Sequence, residues 1–132
     1  MRALLLIDIY DILSDIYFSN ENIDLQIEFR KKHLEAATIL NDPELIIQSN
    51  ILLAFTYHSI EEFEKSDNHI SNAVEMLRFI DDLETLRELT SKINFYYLDK
   101  GDENTFSQNI DRLESLLIKS KKEEYYLGEY SA

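Results

Sequence analysis

Apolar residues return at steps of three and four along nearly the whole chain, the spacing that keeps one side of an α-helix apolar. Only one proline and two glycines interrupt it. The polar breaks fall at Ser19-Asn20-Glu21-Asn22, Asn41-Asp42-Pro43, Ser59 to Glu62, Asp81-Asp82 and Lys100-Gly101-Asp102. They divide the chain into six helical segments of ordinary length, so the expected fold class is all-α. The chemistry of the breaks agrees. Asp42 can accept from free backbone amides as an N-cap, with Pro43 at the first helical position, where its missing N–H costs nothing. Asp81 and Glu84 have capping-box spacing, and Gly101 can take the left-handed conformation that ends a helix.

The segments also repeat. Leu13, Leu53 and Ile93 are forty residues apart, and Tyr17, Tyr57 and Tyr97 follow at the same interval. In the second half of each unit Ile70 matches Ile110, Ala73 matches Leu113 and Leu77 matches Leu117. The repeating unit is therefore a pair of helices.

On these residues the chain resembles the tetratricopeptide repeat (TPR) family. The middle unit carries the pattern most fully, with Leu53, Ala54 and Tyr57 in its first helix and Phe63, Ser66, Ile70 and Ala73 in its second. The first unit keeps Leu13, Ser14 and Tyr17, and places Leu34 and Ala37 in the last two positions once residues are inserted. The third keeps Ile93, Tyr97 and Ile110 but has Asn94 in the small position and Leu113 where alanine is usual. Units of about forty residues are similar to the long repeats of bacterial regulatory proteins that sense peptides, or to those that precede signalling-enzyme domains. The resemblance implies an α-α superhelix of about three hairpins within one domain, 1–132. Its units would be roughly 3–41, 42–80 and 81–120, with 121–132 a tail or the start of a further repeat.

It also implies that the tyrosine column packs between helices, and that the opposite stripe of each first helix lines a concave groove that holds another polypeptide. Those stripes contain Asp8, Asp11, Asp15 and Phe18; Gln48, Ile51, Phe55 and His58; and Glu88, Ser91, Phe95, Leu98 and Asp99. The expected contact set is Asp11, Asp15, Phe18, Ile51, Phe55, His58, Phe95, Leu98 and Asp99. Aromatic rings beside carboxylates suit a protein or peptide that is both basic and apolar. The alternative for Phe55 and Phe95 is packing against neighbouring helices.

Charge narrows the partners. Thirteen Lys and Arg against twenty-six Asp and Glu leave a net charge of −13, which repels phosphate backbones and anionic lipid, so neither nucleic acid nor membrane is an expected partner. No stretch is apolar for long enough to span a bilayer. The run Ala3-Leu4-Leu5-Leu6-Ile7 is followed by Asp8, Asp11 and Asp15 without a small-residue cleavage site, so export is not expected and the cytoplasm is the default. Cysteine is absent, which removes disulfides and thiolate chemistry.

No glycine-rich phosphate loop, nucleophile elbow or dinucleotide fingerprint is present, so neither a cofactor nor catalysis is expected. His58 and Glu62 have the spacing of helical metal ligands, but a turn after Ser59 separates them, and no metal site is expected. His33 and His69 fall within second helices as surface or packing residues. The first helix is apolar nearly all round, through Leu4, Leu5, Leu6, Ile7, Ile9, Ile12, Leu13 and Ile16, and should be covered on more than one side. Either an earlier repeat covers it or two copies pack as a homodimer. The sequence thus points to a protein-binding or peptide-binding scaffold that is part of a larger regulator, with a homo-oligomerisation module as the alternative.

Overall fold

A helix leaves peptide groups unpaired at both ends, and a side chain or a backbone bend can serve them. In the computed structural model the backbone is described over residues 2–19 and 22–101, and at 104, 107, 108, 111, 114, 115, 118 and 119; side chains are described at 4–16, 22–101 and those later positions. The described residues form α1 (Arg2–Ser19), α2 (Ile23–Leu40), α3 (Pro43–Ser59), α4 (Phe63–Met76) and α5 (Leu83–Lys100), with a 3-10 turn at Leu77–Phe79. The fold is all-α, with no strand among the described residues. Helices α3 and α5 start forty residues apart, and α1 and α3 end forty residues apart.

Asp42 caps α3 by accepting from the Leu45 amide at 3.2 Å, with Pro43 in the first turn. Asn22 does the same for α2 through Leu25. Gly101 closes α5 at φ 75°, and Asn41 takes the same left-handed conformation after α2, at φ 53°. The cap of α5 is Asp82, not Asp81. Its carboxylate accepts from the Thr85 amide at 2.9 Å and from the Thr85 hydroxyl at 2.6 Å, and these two bonds hold the carboxyl below the usual carboxylate range. Thr85 decides between the adjacent aspartates, because its hydroxyl supplies a second donor that Glu84 cannot.

Two compact units divide the chain, Met1–Met76 and Leu77–Ala132. In the first, α1 packs on α2, α2 on α3 and α3 on α4. Ile7 of α1 is buried with Ala36 and Ala37 of α2, and Leu40, Leu45 and Ile46 pack against them. The α3–α4 hairpin closes through small side chains: Ala54, Ser66 and Ala73 are fully buried, and the Ser66 hydroxyl donates to the Ala54 carbonyl at 2.7 Å. Leu53, Tyr57 and Ile70 are buried around them. Phe63 departs from the pattern. It is 49% exposed at the first position of α4, edge-on to His58 at 5.3 Å.

In the second unit Leu77, Leu86, Leu89, Ile93, Tyr96 and Tyr97 are buried. Asn94, in the small position of the repeat, is half-buried and its Oδ1 has no hydrogen-bond partner among the described residues. Beyond Gly101 the described positions are helical and exposed. The expected apolar positions Ile110, Leu113 and Leu117, the segment 120–132 and the side chain of Tyr17 lie outside the described residues. No described helix is long and apolar enough to cross a membrane.

Candidate interaction surface

Helix α1 has two apolar sides. Ile7 and Ser14 are buried, Tyr10 stacks on Phe29 of α2 at 6.2 Å, and Leu6 and Leu13 are half-buried. At about 100° per residue, Leu5, Ile9, Ile12 and Ile16 lie roughly 180° from that contact. They are 62%, 39%, 60% and 48% exposed, and Leu4 beside them is open as well. A helix of a folded domain ordinarily turns such a stripe inward.

What holds the inner side of α1 is partly polar. Asp11 Oδ1 lies 3.3 Å from His33 Nε2 on α2, and His33 Nδ1 meets the Ser49 hydroxyl on α3. The Asp11 carboxylate can only accept, so it faces Nε2–H, while Nδ1 faces the Ser49 hydroxyl. One turn along, Arg30 Nη1 donates to Thr56 Oγ1 at 2.7 Å and to the Leu52 carbonyl at 3.0 Å. Burial lowers the Arg30 pKa, and the charges of Asp15 and then Asp11 oppose that shift. Asp11–His33–Ser49 thus crosses three helices as one rung, and Arg30–Thr56 makes a second between α2 and α3, with the charge of Asp15 acting on Arg30.

The first rung has the composition of a hydrolytic triad but not its order. In such a triad Nε2 faces the nucleophile and Nδ1 the acid. Here the assignment is reversed and Ser49 is only 1% exposed, so its hydroxyl is not presented to a substrate. Its chemistry is that of a satisfied buried polar contact between helices.

A second cluster surrounds Tyr57. His69 of α4 stacks on its ring at 5.5 Å, nearly parallel, and the ammonium groups of Lys31 and Lys65 lie 5.9 and 5.5 Å from the ring centroid. Asn50 Nδ2 donates to the Ile46 carbonyl, which turns Oδ1 toward His69 Nδ1 at 2.8 Å and places the imidazole proton there. Burial, and then the charge of Lys31, push the His69 pKa below its ordinary value.

The expected contact residues separate on this frame. Asp11 and Asp15 are exposed, but Asp11 lies beside His33 of α2 and the charges of both act on Arg30, so they serve the interior of the unit as well as its surface. Ile51 is 4% exposed and belongs to the core; the stripe opposite the tyrosines turns inward at this point of α3. Phe55 and His58 are half-buried, and His58 abuts Phe63. In the second unit Phe95, Leu98 and Asp99 are all exposed, Phe95 at 62%. The side chain of Phe18 lies outside the described residues. His58 sits in the last turn of α3 and Glu62 beyond its end, so they do not share a helical face. Among the described residues no group of three His, Cys, Asp or Glu is arranged to hold a metal ion.

Sequence reasoning missed both rungs, although a signal exists. Asp11 and Asp15, Arg30 and His33, and Ser49 and Thr56 are each one or two turns apart on one face of their helix. No protein-family model matches the chain, and no curated protein or solved structure matches it.

Proposed function

We propose that the chain is a polypeptide-binding helical scaffold, built from paired helices in the manner of tetratricopeptide repeats and serving as a regulatory segment of a cytoplasmic protein. The observation that carries the reading is the open apolar stripe Leu5, Ile9, Ile12 and Ile16, on a helix whose other side is already packed. A contiguous apolar patch on an otherwise strongly charged chain is the usual mark of a docking surface. The forty-residue recurrence of helix ends, and the small residues closing the α3–α4 hairpin, support the repeat character. Asp11, Asp15, Phe55 and His58 in the first unit, and Phe95, Leu98 and Asp99 in the second, are the further candidate contacts.

Peptide-display selection against the full chain tests the reading. Binders should emerge that lose affinity for the Leu5→Asp/Ile12→Asp variant, in which both substitutions are at open positions and the fold should persist by circular dichroism. Selected binders that are indifferent to those substitutions refute α1 as the docking surface. The same stripe supports a second reading, homo-oligomerisation through α1, which sedimentation of the purified chain decides: a dimer that Ile12→Asp converts to monomer establishes it.

A further inference from the structure

Leu5, Ile9, Ile12 and Ile16 step by four, three and four residues, the alternation by which one helix keeps a seam against another in a left-handed coiled coil. With Leu4 they present on the order of 500 Å² of apolar residue surface, near the top of the range for the largest patch on a monomer. That falls short of the roughly 800 Å² per partner that a stable protein pair buries. The area suits one docked helix, anchored at three-and-four spacing.

Charge selects which helix. With the four apolar residues in the seam, Asp8 and Asp15 fall seven residues apart in one flanking column, and Leu6 and Leu13 in the other. A second copy complements this badly in either direction. Antiparallel, the aspartate columns face each other; parallel, Asp8 faces Leu13 of the other copy, and two chains of net charge −13 are brought together. A helix with basic side chains along one flank meets the aspartates and gains from the field of the whole chain.

We propose that the outer face of α1 receives a cationic amphipathic helix of another polypeptide, seated over Leu5, Ile9, Ile12 and Ile16 with its basic flank against Asp8 and Asp15. This rests on the scaffold reading and adds the chemistry of the occupant.

Two synthetic eighteen-residue helical peptides form the test, sharing one Leu/Ile seam and differing only in Lys or Glu at the flanking positions. Each is titrated by fluorescence anisotropy into the full chain, Leu5→Asp/Ile12→Asp and Asp8→Lys. The Lys peptide should bind at least tenfold more tightly than the Glu peptide, weaken at least tenfold against Leu5→Asp/Ile12→Asp, and weaken several-fold against Asp8→Lys. The double substitution adds two negative charges, so general attraction between a basic peptide and an acidic protein gives equal or tighter binding to that variant, and this result overturns the proposal. Equal, stripe-dependent binding of both peptides overturns the cationic occupant while leaving the scaffold reading intact. Failure of both peptides to bind overturns the coiled-coil seat, and a native dimer dissociated by Ile12→Asp assigns the face to a second copy instead.

Discussion

His33 offers a clean measurement of what the polar rungs contribute. Substitution by leucine keeps much of the volume but removes both partners of the imidazole. Asp11 is half-exposed and water replaces its contact, so little of the loss arises there. Ser49 is buried, and its hydroxyl loses its partner inside the α2–α3 contact. A buried hydroxyl left without a partner costs about 1–3 kcal/mol, so His33→Leu should destabilise the chain by about 2 kcal/mol. Ser49→Ala strands the imidazole nitrogen instead and should cost about 1 kcal/mol. The double variant removes both polar groups and should cost less than the sum of the two, leaving a coupling of about 1 kcal/mol or more. Urea denaturation followed by circular dichroism supplies the three values, with an unchanged m-value showing that the unfolding reaction is the same. Strict additivity, or a His33→Leu variant as stable as the parent, refutes the rung as a coupled contact.

Other features of the structure give shorter tests. Because burial and Lys31 lower the His69 pKa, the folded chain binds that proton more weakly than the unfolded chain; the contribution to stability is complete above the ordinary pKa of 6.5 and is lost as pH falls through the lowered value. Lys31→Met should raise the His69 midpoint in an NMR titration without restoring it fully, since burial remains, and an unmoved midpoint removes Lys31 as a cause. Asp82→Ala should lower the thermal midpoint and Asp81→Ala should not, the reverse of what capping-box spacing alone implies. Ala54→Leu places a large side chain where the Ser66 hydroxyl touches the α3 backbone, and should cost about 1–3 kcal/mol or more by chemical denaturation.

The sequence shows helix limits well because the signals are local. Asp42, Pro43 and Gly101 act on peptide groups within a few residues, and each does in the structure what its chemistry dictates. The same locality explains the error at Asp81, since two adjacent aspartates read alike until Thr85 supplies the second hydrogen bond. Tyr57 and Tyr97 are buried as the forty-residue column implies, because one helix's periodicity already marks its inward face. The contact surface was harder to read. Asp11 and Asp15 look like open acids until α2 is placed, for only the packing of α2 on α1 shows that His33 and Arg30 lie beside them. Ile51 fails for the same reason: a helix flanked on both sides has an inward stripe wider than one repeat position, and α3 packs on both α2 and α4.

The rungs and the open stripe are two parts of one arrangement. A hydrophobic pattern alone does not orient α1, since its two apolar sides compete for the same neighbour. Covering Leu5, Ile9, Ile12 and Ile16 is worth on the order of 10 kcal/mol at about 25 cal/mol per Å², before any ordering cost. Turning that stripe inward would in exchange expose Ile7 and the half-buried Leu6, Tyr10 and Leu13, so the two orientations differ by only part of that figure. Asp11 and Asp15 supply the reason. Turned half-way round, α1 would withdraw Asp11 from the buried His33 ring and carry the charge of Asp15 away from the partly buried Arg30, and the stranded His33 N–H alone costs about 1–3 kcal/mol. The aspartates therefore select the face that docks on α2 and hold the more apolar face outward. A sequence that spends specific polar contacts to keep its most apolar stripe exposed departs from the folding rule where departures concentrate at functional sites.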